Sequence, residues 1–192
     1  MQDTLATAFE HHRSGRLHRA VQLYQQFLAQ DPEQADVLHL LGVVALQQGH
    51  VQRAVDLIGR AVAVNPRNAT FHANQAQAYR LLGQLDRAAN CCRTAQRLKP
   101  DLPVVGNTLG LVLLEQGQPK AASDQFRAAL RLQPDFAQAH NNLGKAFRML
   151  GDKAQALAHF RRAVALDPNL YGARSNLDQM LREEKQHTNP EH

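Results

Sequence analysis

The chain has no tryptophan, and its aromatic rings are limited to seven phenylalanines and three tyrosines in 192 residues. A surface that stacks bases needs aromatic faces, so nucleic acid is not an expected partner. Long apolar runs are missing as well. The longest, Val37 to Leu46, is interrupted by His39 and Gly42, whereas a membrane-spanning helix needs roughly eighteen apolar residues in a row. No membrane span is therefore expected. The opening Met1-Gln2-Asp3-Thr4-Leu5 has no basic stretch leading into an apolar one, so no secretory signal is read there. Only two cysteines occur, Cys91 and Cys92, and they are adjacent. Adjacent residues make a poor stabilising disulfide, and a reducing, cytoplasmic setting is the expectation.

The motifs of common chemistries are missing too. The sequence holds no phosphate-cradling G-x-x-x-x-G-K-[ST], no nucleophile elbow and no dinucleotide fingerprint. No second cysteine pair completes a zinc or iron–sulfur framework. His11, His12 and His18 straddle a turn without a carboxylate or cysteine at metal-ligand spacing. His72 and His140 read as partly buried packing residues, and Cys92 as a small buried hydrophobe. No catalytic residue, metal site or cofactor is expected, and the chain reads as a non-enzyme.

What the sequence does contain is a period. Pro32, Pro66, Pro100, Pro134 and Pro168 follow one another at intervals of 34. So do Gly15, Gly49, Gly83, Gly117 and Gly151, and so do Ala20, Ala54, Ala88, Ala122 and Ala156. Each type has a physical task. Glycine ends a helix where a positive φ is needed. Proline stops the second helix, which cannot continue through it. Alanine allows two helix backbones to approach closely. Between these marks apolar residues recur at three and four, as in Ala54, Leu57, Ile58, Ala61 and Val62, which places them on one helix face. A single helix pair cannot bury its apolar face alone, so neighbouring pairs must stack.

The expected fold is all-α: a right-handed α-solenoid of five stacked helix-turn-helix units, 1–34, 35–68, 69–102, 103–136 and 137–170. Residues 171–185 read as a capping helix with the polar run Arg182-Glu183-Glu184-Lys185, and 186–192 as a disordered tail.

Counted from the start of each unit, the pattern resembles the tetratricopeptide repeat (TPR) family. That family favours leucine at position 7, glycine at 8, alanine at 20, an aromatic at 24, alanine at 27 and proline at 32. The fifth unit supplies Leu143, Gly144, Ala156, Phe160, Ala163 and Pro168, and the fourth supplies Leu109, Gly110, Ala122, Phe126, Ala129 and Pro134. The third departs with Gln75, Ala76 and Cys92, and the first is the weakest match.

The resemblance implies that the first helix of each pair lines a groove and the second forms the outer face. Groove position 6 then carries Asn74, Thr108, Asn142 and Asn176, with Asn107 and Asn141 one position earlier. An asparagine offers a donor and an acceptor, so such a ladder can clamp a peptide backbone or tie neighbouring helices together. A similar ladder marks the repeats of O-linked N-acetylglucosamine transferases and implies peptide binding. The phrases around Leu38–Leu46 and Asn141–Gly144 likewise resemble bacterial arrays that precede glycosyltransferase or sulfotransferase domains. Arg80, Lys145, Arg148 and Arg182 in the same groove, opposed by Glu115 and Glu183, suggest a mildly basic trough suited to an acidic segment. No unit has the position-5 lysine of the chaperone-tail-binding relatives, so that ligand is not expected.

The leading reading is a scaffold that binds a segment of another protein. The alternatives are the recruiting arm of an enzyme and a homo-oligomer built on apolar residues such as Leu5 and Phe9. On the outer face Arg93, Arg127 and Arg161, flanked by Arg97, Arg131 and Arg162, form a basic stripe. A solvated ridge, partly compensated by Asp124, is the preferred reading of that stripe.

Overall fold

The computed structural model describes residues 2–188, and every regular element among them is helical. The helices are α1 (Gln2–Arg13), α2 (Leu17–Gln30), α3 (Ala35–Gln47), α4 (Val51–Val64), α5 (Ala69–Leu81), α6 (Leu85–Leu98), α7 (Pro103–Glu115), α8 (Pro119–Leu132), α9 (Ala137–Met149), α10 (Lys153–Leu166) and α11 (Tyr171–Thr188). They form two compact bodies, residues 1–99 with α1–α6 and residues 100–192 with α7–α11. In the first body the pairs α1/α2, α3/α4 and α5/α6 each pack together, and α2 meets α3 as α4 meets α5. The second body repeats this arrangement with α7/α8 and α9/α10, and α11 packs on α10 and α9.

The periodic residues do the work their chemistry suggests. Gly15, Gly49, Gly83, Gly117 and Gly151 are the left-handed residues, with φ between 72° and 81°. At each, two backbone bonds close the helix end, as where Gly117 N–H donates to Leu114 O and Gln118 N–H to Leu113 O. The five alanines at position 20 are completely buried. Beside them a second periodic pair interlocks. A Cβ on Gly110 would collide with the Phe126 ring, and one on Gly42 would lie 2.5 Å from Ile58 Cγ1. Gly144 likewise receives the Phe160 ring. The missing side chain on the first helix is thus the socket for the large one on the second. In the third unit Ala76 and Cys92 hold these two positions, both fully buried. A slightly larger socket residue goes with a much smaller knob.

The C-terminal helix is longer than the expected 171–185, running to Thr188. Residues 186–188, expected to belong to the tail, are helical because no glycine or proline intervenes before Pro190 and Glu, Lys and Gln favour helix. The remainder of that tail lies outside the described residues.

Candidate functional site

The first helices present their positions 5 and 6 to one another inside each body. In residues 100–192, the Asn142 side-chain amide donates to Asn107 Oδ1 at 2.9 Å. The Asn176 amide donates to Asn141 Oδ1 at 2.8 Å. In residues 1–99, the Asn74 amide donates to His39 Nε2 at 2.7 Å. Every rung joins residues 35 apart, one more than the period, because position 6 of one unit meets position 5 of the unit before. Asn107, Asn141 and Asn142 are buried, and so is Thr108, whose hydroxyl donates to Val104 O in its own helix at 2.9 Å. Asn74 and Asn176 are half-buried. The asparagines therefore bond helix to helix, the second of the two roles their chemistry allows.

His39 takes the acceptor place in the first body and lies flat on Phe71, ring centroids 4.6 Å apart. Burial, with a smaller contribution from His12, outweighs Asp36 and lowers its pKa to about 4. A neutral ring is what the rung needs, since Nε2 must stay unprotonated to accept from Asn74.

One turn beyond the rungs the second body carries charge. Lys145 is half-buried, and burial followed by the Arg148 guanidinium lowers its pKa with no carboxylate raising it. Arg148 donates to Gln179 Oε1 at 3.2 Å, and the Gln179 amide donates to Glu183 Oε1 at 3.0 Å, so α9 and α11 are linked at this level too. Met149, the next residue, is 54% exposed, and Val104 on α7 is 48% exposed. Lys145, Arg148 and the exposed Met149 thus follow the rungs along α9, while Val104 precedes them on α7. Of the nine candidate residues, Asn107, Thr108, Asn141, Asn142, Lys145, Arg148 and Asn176 belong to this body. Asn74 and Arg80 belong to the other. Arg80 sits in the last turn of α5, where the helix end favours a cation, within electrostatic reach of Cys92.

The chain matches the family described as "Cilia and flagella-associated protein 70 C-terminal domain", a tetratricopeptide-repeat family, over residues 1–191. It belongs to that TPR family. Solved proteins share the fold. TTC0263 of Thermus thermophilus is 24% identical over 94% of this chain and 98% of its own, with a TM-score of 0.79. The AMB-1 MamA is 27% identical over 86% and 98%, with a TM-score of 0.72. YrrB, described as a TPR protein with an unusual peptide-binding site, is 21% identical over 90% and 89%, with a TM-score of 0.68.

The family match and the solved neighbours agree on a fold of stacked TPR helix pairs. Burial pushes the Cys91 thiol up to about 11 and the Cys92 thiol up to about 12, so neither is a thiolate nucleophile. Cys91 Sγ instead donates to Gln75 Oε1 at 3.3 Å. No cluster of three or more metal-capable side chains exists among the described residues. No helix among them is long and apolar enough to cross a membrane.

Sequence reasoning missed three participants: His39 in the rungs, Gln179 in the α9–α11 link, and a stacked column in the second body. There Arg127 lies 5.2 Å from the Phe147 ring centroid, Phe147 stacks on His159 at 5.6 Å, and His159 on His140 at 5.2 Å. Burial, then His140 and Arg127, lowers the His159 pKa to about 4. His140 Nε2 donates to Pro134 O at 3.1 Å, so its Nδ1 accepts from His159 Nδ1 at 3.0 Å. The 35-residue spacing is the one sequence signal that could have found the rungs.

Proposed function

We propose that this TPR module binds a segment of another protein across the first-helix face of residues 100–192, and that the segment is acidic with an apolar anchor. The observation that carries the reading is Lys145. A lysine that loses hydration without gaining a carboxylate is costly to the free protein and ready for an incoming anion. Arg148 adds a second donor one turn away, and Met149 beside it offers contact area for the anchor. The amide rungs act beneath this surface. They hold α7, α9 and α11 in register, while half-buried Asn176 keeps amide valence at the edge for a ligand backbone. YrrB, a similar fold, carries a peptide-binding site, which supports peptide capture as the mode.

The enzyme-arm reading has no comparable observation behind it, because the Asn141–Gly144 phrase that suggested it is accounted for by rungs and by the socket for Phe160. The test is an array of overlapping peptides probed with the whole chain and with Lys145→Glu/Arg148→Glu. Acidic peptides should dominate the hits and disappear with the variant. Hits without an acidic bias, or unchanged by the variant, would overturn the proposal.

A further inference from the structure

Charge in residues 1–99 is sorted by layer. The second helices α2, α4 and α6 hold six arginines and two aspartates, while the first helices α1, α3 and α5 hold two arginines and three acidic residues. Within the second-helix layer one column repeats with the period. Arg19, Arg53 and Arg87 are each the third residue of their helices, and all three are exposed. The fold does not require arginine there, since the same place is Ala121 in α8 and Gln155 in α10. Helix electrostatics oppose it, because the first turn is the positive end of the helix dipole. None of the three meets a carboxylate within ion-pair distance among the described residues. Arg19 donates to Gln22 and Arg87 to Gln84, contacts along their own helices or to an adjoining turn that hold the guanidinium without neutralising it. Arg87 also lies over the Tyr79 ring, 5.6 Å from its centroid, which orients the charge and leaves it uncancelled.

We infer that this column is a docking surface for an acidic α-helix of another protein. The second helices are separated by first helices, α2 meeting α3 and α4 meeting α5, so Arg19, Arg53 and Arg87 stand one helix pair apart. On a helix, residues about seven or eleven apart return to one face, at roughly 10 and 16 Å, so an acidic helix can present carboxylates at the interval of successive pairs. Each arginine can then take one carboxylate through its planar fork. The two acidic residues on the layer favour this partner over a nucleic acid. Asp56 and Asp86 break the positive track, which repels a continuous line of phosphates and tolerates carboxylates placed at intervals. No stacking aromatic is exposed in the layer either, as Tyr24 is fully buried. A second copy of this chain is a poor occupant, because the formal charge of the whole protein is +5.

The test is fluorescence anisotropy of the full chain, at low ionic strength, with labelled alanine-rich helical peptides carrying three glutamates on one face about seven or about eleven residues apart, the tighter of the two being the matched peptide. The comparison peptide has the same composition with the glutamates on different faces. The matched peptide should bind at least tenfold more tightly than the scrambled one. Arg19→Gln/Arg53→Gln/Arg87→Gln should remove that advantage with an unchanged helical dichroism signal, whereas Lys145→Glu/Arg148→Glu should keep it. The charge-reversed Arg19→Glu/Arg53→Glu/Arg87→Glu should instead prefer the lysine counterpart of the matched peptide. No binding, equal binding of the two peptides, or tighter binding of a duplex DNA of similar length would overturn the inference.

Discussion

Replacing Asn142 with alanine tests whether the amide rungs hold the array together. Asn142 is 6% exposed and donates to Asn107 Oδ1 at 2.9 Å. Its loss removes one hydrogen bond and leaves a buried acceptor at Asn107 without that donor. Together these cost about 1–3 kcal/mol. For a chain of 192 residues the thermal midpoint should fall by roughly 2–4 °C for each kcal/mol. Urea unfolding of Asn142→Ala, Asn107→Ala and the double variant gives the coupling directly. Because the two side chains touch, the double variant should be less destabilised than the sum of the singles by at least about 0.5 kcal/mol. The Asn176→Ala/Asn141→Ala cycle should behave in the same way at its 2.8 Å rung. Additive singles, or an Asn142→Ala protein as stable as the parent that has lost peptide affinity, would refute the structural role and return the ladder to direct ligand clamping.

Other outcomes follow from the same geometry. Gly110→Ala should destabilise by about 1–3 kcal/mol through overpacking against Phe126, partly offset by alanine's better helix propensity, and Gly110→Ala/Phe126→Cys should show favourable coupling in urea titrations. His39 has an unfolded pKa of 6.5 and a folded one of about 4, so the unfolded chain holds the extra proton between these values. Stability is therefore full above pH 6.5 and falls by about 3 kcal/mol as pH drops to about 4. His39→Gln, which keeps an acceptor for Asn74, should flatten that slope in acid titrations followed by circular dichroism. Lys145→Met should raise the urea midpoint, since it removes a half-buried cation, while lowering affinity for acidic peptides measured by anisotropy.

Helix number, helix order and the turn glycines were all legible, because each depends on local rules repeated five times. Gly15 and its equivalents need a left-handed conformation wherever a helix ends that way, whatever surrounds them. The third unit's departures became intelligible only in space. Ala76 and Cys92 are sixteen positions apart and look like two separate exceptions, yet they fill one socket-and-knob place. Gln75, the third departure, accepts from Cys91 Sγ. The asparagines were the least legible. Their type signals a two-sided hydrogen-bonding role, but whether that role faces a guest or a neighbouring helix depends on burial, which the period alone does not fix. His39 was hidden because an imidazole acceptor replaces the asparagine at that rung, and the substitution depends on the neutrality imposed by its own burial.

The 35-residue rung also acts as a ruler on the gene. Each residue inserted or removed within α9 before Asn142 turns the rest of that helix by about 100° and carries the amide off its seam, and one added or removed within α7 after Asn107 does the same to the residues beyond it. Indels in this stretch are therefore penalised twice, by lost packing and by a stranded polar group. A gain or loss of whole thirty-four-codon units keeps every rung in register.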